Sequence, residues 1–156
     1  VASSLARHGF THVLIVNGHG GNLATLGAAC QSVYDAASRV GRPSPLRFKV
    51  TSWWDPPAVK ALVQDLFGAA EGSHATASEI AVTRALHPER VDPRPLEPRV
   101  APSRSPFADA LDYRRRYPDG RIGSDPSLAT AEAGRKILET AADALADTYR
   151  AFLAEA

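Results

Sequence analysis

Residues Phe10 to Val16 (Phe-Thr-His-Val-Leu-Ile-Val) form a short apolar, β-branched run, and Asn17-Gly18-His19-Gly20-Gly21-Asn22 follows at once. A run of this kind suits a strand buried on both faces, as in a parallel sheet. From Leu23 to Arg39, the positions Leu23, Leu26, Cys30, Val33 and Ala37 keep helical spacing, and Asn22 is placed to cap the helix start. Gly41-Arg42-Pro43-Ser44-Pro45 reads as a loop. Leu46 to Ser52 then alternates apolar with polar residues, the pattern of a half-buried strand. Strand, glycine turn, helix and strand make one crossover unit, expected to be right-handed.

The rest of the chain continues the α/β pattern. Asp55-Pro56-Pro57 opens a short helix carrying Val59, Leu62, Val63, Leu66 and Phe67, which Gly68 ends. A helix is expected from Thr76 to Leu86. From His87 to Asp125 the chain is rich in Pro, Arg and Asp and predicts irregular structure, with one helical turn near Phe107 to Tyr113. Thr130 to Phe152 is the clearest helix, with Ile137, Leu138, Ala141, Leu145, Tyr149 and Phe152 on one face. The expected fold is α/β, with helices on both sides of a mostly parallel sheet.

Length and charge narrow the classes of function. The 156 residues fit a single domain, 1–156. A formal net charge of +1 gives no electrostatic case for nucleic acid or an anionic membrane. No apolar run approaches the ~20 residues of a membrane span. The single cysteine, Cys30, excludes an internal disulfide and a multi-cysteine zinc site, and fits a reducing cytoplasm. The chain has no Met and begins at Val1, and Ser3 to Gly9 reads as the last turns of a helix ending at a glycine cap. The expectation is the C-terminal portion of a longer protein.

The chemistry concentrates in two motifs. The first is Asn17-Gly18-His19-Gly20-Gly21-Asn22, at a strand's carboxyl end and a helix's amino end, where open α/β sheets bind ligands. Its glycines let a ligand or metal approach the backbone, and His19 offers a metal ligand or a base. A tight turn with an incidental His, or an anion cradle, are the other readings. The second is Glu71-Gly72-Ser73-His74-Ala75-Thr76-Ala77-Ser78-Glu79, which brings His74 and two carboxylates to a loop–helix junction. Glu79 reads either as the partner of Thr76 in a capping box or as a metal ligand. Trp53-Trp54-Asp55, just past the second strand, either walls a pocket with Trp54 against a planar substrate or forms a hydrophobic corner. Cys30 reads as apolar filler, and Arg114-Arg115-Arg116 as a solvated face.

Val16-Asn17-Gly18-His19-Gly20-Gly21-Asn22, followed by His74-Ala75-Thr76-Ala77-Ser78-Glu79, resembles the creatininase (creatinine amidohydrolase) family. The family's second motif reads His-Ala-Gly-x-x-Glu-Thr-Ser; His74, Ala75 and Glu79 match it, and Thr76, Ile80 and Ala81 depart. The resemblance implies a three-layer α/β/α fold, here without its N-terminal strands and helices. It also implies a site with two divalent ions (Zn²⁺, Mn²⁺ or Fe²⁺) that hydrolyses small, including cyclic, amides through a metal-activated water, in a homo-oligomer. By motif, His19 would be a metal ligand and Glu79 a ligand or its support. His74 would be the catalytic residue that positions substrate or shuttles a proton. Gly20, Gly21 and Trp54 would border the substrate. Gly21 stands where creatininase carries a second acidic ligand, which points to the glycine-bearing branch that includes formamide hydrolases. The family's other ligands lie in a Glu-x-His…Asp motif, and this chain has no Glu-x-His. The alternative is therefore a creatininase-fold binding or assembly module with an incomplete site.

Overall fold

A computed structural model describes residues 1–92 and 94–155. The chain divides into two compact units: Val1–Pro56 with the segment from Asp143 onward, and Pro57–Ala142.

The first unit opens with helix α1 (Ala2–Arg7). It closes as its glycine suggests: Gly9, at φ 84°, donates to Ala6 O, and Phe10 N donates to Leu5 O. Strand β1 (His12–Asn17) and strand β2 (Arg47–Ser52) pair in parallel, from His12 opposite Arg47 to Asn17 opposite Ser52. Helix α2 (Leu23–Arg39) connects them and ends on a second glycine, Gly41, at φ 65°. Its Tyr34 hydroxyl accepts from Phe48 N at 3.0 Å, and the two rings meet edge to face. Leu46 and Phe152 are buried, and the His12 ring packs edge-on against Phe152.

The strand β1 is not buried on both faces. Val16 is 51% exposed, and Phe10 lies outside the strand and in solvent. Among the described residues β1 has one partner strand. On the other side, Val13, Ile15 and Phe48, with Leu5, Cys30 and Val33, line an apolar cavity of about 410 Å³. Cys30 is therefore a half-buried cavity wall rather than buried filler.

The second unit contains helix α3 (Pro57–Phe67), helix α4 (Ala77–Leu86), helix α5 (Ala110–Arg116) and the first half of helix α6 (Ala131–Leu153). Val59, Phe67, Ala81, Tyr117, Ile122 and Ile137 lie in its core. Helices α4 and α6 touch through their backbones: a Cβ on Gly134 would stand 2.0 Å from Ala81 O. On α6, Ile137, Ala141 and Phe152 are buried as their spacing predicts, but Tyr149 is exposed.

The irregular segment is held by buried polar groups. Arg121 donates to Pro98 O at 2.6 Å and Arg99 O at 2.8 Å, and pairs with Asp119. The helical turn expected near Phe107 to Tyr113 is α5, three residues later. Asp109 sets its start by accepting from Leu111 N and Asp112 N. Among the described residues, no helix is long and apolar enough to cross a membrane.

Candidate active site

The first motif forms the turn from β1 into α2, and Asn17 organises it. Its side chain is 2% exposed, and burying an amide is costly unless its polar atoms are paired. Here Nδ2 donates to His19 O at 2.8 Å and Ser52 Oγ at 3.2 Å. Oδ1 accepts from His19 N at 3.3 Å and Asn22 Nδ2 at 3.2 Å. One side chain thus fixes the turn and ties it to the end of β2. Past β2, Asp55 accepts from Ser52 N at 3.0 Å, and Trp53 N donates to Asn17 O. Trp54 is half-buried there, its ring at 90° to that of Trp53 and 5.5 Å away. Both loops at the carboxyl ends of the parallel strands are therefore linked, which places His19, Gly20, Gly21 and Trp54 in the region where such sheets bind ligands.

The helix cap differs from expectation. Asn22 makes no capping bond to α2: its backbone is already helical (φ −82°, ψ −19°), and its Nδ2 donates to Asn17 Oδ1. Instead His19 precedes a short 3₁₀ turn, Gly20–Asn22, and its Nδ1 accepts from Gly21 N at 3.1 Å. An Nδ1 that accepts carries no proton. Gly21 approaches closely: a Cβ there would lie 3.0 Å from that nitrogen.

The second motif starts α4 in the other unit. Thr76 and Glu79 form the capping box: Glu79 N donates to Thr76 Oγ1 at 3.2 Å, and Thr76 N donates to Glu79 Oε2 at 2.9 Å. Glu71 accepts from Ser78 N at 3.0 Å and Ser78 Oγ at 2.5 Å. Both carboxylates thus face unpaired amides of a helix start, where negative charge is favoured. His74 is held just ahead by an antiparallel bridge to Ile122. Its neighbour Ala75 has φ 47°, a left-handed conformation that costs a non-glycine residue about 1 kcal/mol or more. The half-buried His74 ring meets the Tyr113 ring edge to face at 6.2 Å.

Sequence reasoning did not foresee Asn17, Ser52 or Tyr113 as parts of these arrangements. A polar residue ending each strand was the available signal for the first two. Tyr113 lies in the aperiodic segment and carried none.

The residues do not by themselves compose a metal centre. Among the described residues, no three His, Cys, Asp or Glu side chains come together to hold an ion. A ligating His ordinarily donates its second ring N–H to an acceptor. His19 instead receives a donor at Nδ1, so coordination there would displace the Gly21 amide. Glu79 Oε2 is engaged in the cap.

Comparison with known proteins bears on the whole chain. The creatininase (creatinine amidohydrolase) family model matches residues 1–149. No curated protein matches. The crystal structure of creatinine amidohydrolase (creatininase) superposes with a TM-score of 0.71 at 24% identity, covering 96% of this chain and 59% of that one. A manganese form of creatininase gives 0.72 at 24% identity, with the same coverage. A creatininase mutant complexed with creatine gives 0.73 at 25% identity, covering 96% of this chain and 60% of that one. The chain thus spans about three-fifths of the length of the solved structures it matches. Its fold is that of the creatininases, α/β with a parallel sheet. With 149 of its 156 residues matched by the family model, the chain belongs to the creatininase family.

Proposed function

We propose that this chain serves a metal-dependent hydrolase of small amides, formamides and cyclic amides included. The observation that carries the reading is the His19 turn, locked by Asn17 at the carboxyl ends of two parallel strands, in a chain of the creatininase family. Solved members of that fold include a Zn-Zn form and a manganese form, which supports divalent metal as the cofactor class. In this reading His19 and Glu79 each contribute one metal contact. Each ion takes several ligands, so neither residue completes a centre alone.

The other assignments follow from what each residue can do. His74 holds or moves a proton at its imidazole, the role for which His is best suited near neutral pH. Gly20 and Gly21 lack side chains, so an amide can approach the backbone of the turn. Trp54 offers a flat apolar face to a planar amide.

The test is metal-dependent turnover of formamide and of small cyclic amides. His74→Ala should lower kcat by about 10²–10⁴-fold with metal content unchanged. Equal turnover in His74→Ala at saturating metal would overturn the reading.

A further inference from the structure

Three rings form a row in the second unit. The Tyr113 ring meets the half-buried His74 imidazole edge to face at 6.2 Å, and it meets the Phe107 ring edge to face at 5.0 Å. Phe107 is 46% exposed. A single exposed apolar side chain is ordinary on a protein surface, so exposure by itself gives Phe107 no role. Its place does: the open ring ends a row whose other end is the imidazole assigned to proton handling above.

The row is held in place and carries no charge of its own at Phe107 and Tyr113. The Tyr113 hydroxyl donates to Gly120 O at 2.6 Å, so its polar atom is satisfied within the fold. Burial first, then Tyr117 and Asp119, push that hydroxyl above its usual pKa, so it keeps its proton. Tyr113 also packs against the buried Tyr117 ring at 5.3 Å, and the Tyr117 hydroxyl accepts from Ser105 N at 2.7 Å, two residues before Phe107. On the other side of Phe107, Ala108 N donates to Asp112 Oδ2 at 3.1 Å and ties the segment to α5. Arg115 and Arg116 both pair with that same Asp112, which meets part of their charge locally.

We propose that Phe107 and Tyr113 form an aryl-binding wall beside His74, which selects small amides carrying a flat, uncharged aromatic group. The inference rests on the role given to His74 above and narrows the substrate class of the proposed function. Neutral rings fixed by their neighbours offer the faces and edges against which another aromatic ring packs best. An aryl amide can keep its ring on Phe107 and Tyr113 with its amide group beside the imidazole. Acetamide has too little apolar surface to use the wall.

The test is NMR titration of the isotopically labelled chain with benzamide, with acetamide as the control. Benzamide should shift the ring resonances of Phe107, Tyr113 and His74, and acetamide should leave those of Phe107 and Tyr113 in place. Phe107→Ala, at an exposed position where truncation spares the fold, should weaken benzamide binding by about threefold or more. Phe107→Tyr keeps the ring and should retain the wild-type affinity. Leu111→Ala, exposed on α5, should retain it too. Benzamide shifts confined to other residues would overturn the proposal, as would an affinity unchanged in Phe107→Ala or a loss in Leu111→Ala as large as in Phe107→Ala. The readout uses neither turnover nor metal, so its failure is distinct from a failure of the amide-hydrolysis reading.

Discussion

Asn17 and Ser52 end two parallel strands in register, and the Asn17 amide donates to the Ser52 hydroxyl across 3.2 Å. The same amide also holds His19 from two sides, through its carbonyl and its N–H. The glycine turn is therefore held, and tied to the end of β2, by one buried side chain.

Asn17→Ala should destabilise the chain by about 2–3 kcal/mol, because it unpairs several groups at once. Urea unfolding measures the loss. A change below about 0.5 kcal/mol would mean that water replaces the amide and the turn holds itself.

Gly134→Ala separates propensity from packing. In an exposed helix the change would stabilise by about 1 kcal/mol. Here the new methyl would meet Ala81 O at 2.0 Å, so α4 and α6 must separate. The expected outcome is a lower melting temperature, read by circular dichroism. A higher one would contradict the close backbone contact.

The capping box allows folding and metal roles of Glu79 to be read apart. Thr76→Ala should cost about 1 kcal/mol. Glu79→Gln keeps an oxygen to accept from Thr76 N and should change stability by less than about 0.5 kcal/mol. If Glu79 contributes a metal contact, Zn²⁺ affinity falls in Glu79→Gln with the fold intact. Unchanged affinity would leave Glu79 a cap alone.

Asp125 makes stability depend on pH in a defined direction. Burial raises its carboxyl pKa, but hydrogen bonds from Ser127 and Arg99 outweigh this and bring it below the ordinary value of 3.8. A group lowered on folding stabilises the native state above its unfolded value and loses that stabilisation as pH falls through the folded one. The urea midpoint should therefore drop below pH 3.8, and Asp125→Asn should drop less steeply. Parallel curves for both proteins would contradict the assignment.

Much of the fold was legible because it is written in periodicity. The strand–helix–strand unit, the helix at 131–153 and the Thr76–Glu79 box lie within a residue or two of their sequence-based bounds. Local pattern failed where a distant partner competes. Asn22 has the chemistry of a cap, but its backbone is already helical and its Nδ2 donates to Asn17 Oδ1. An apolar run predicts burial of β1 on both faces, yet burial depends on what packs over each face, and Val16 is 51% exposed. The Tyr113–His74 contact joins positions 39 apart through an aperiodic segment, which no local rule connects. For the site, residue types and their placement on turns were readable; which nitrogen of His19 is engaged was a matter of three-dimensional geometry.

The proposed function has His19 contribute to divalent metal binding. Calorimetric titration of the chain and of His19→Ala with Zn²⁺ and Mn²⁺ tests it directly. The expected result is binding that weakens by about tenfold or more in His19→Ala, a loss of about 1.4 kcal/mol or greater. Superimposable isotherms for the two proteins would contradict it.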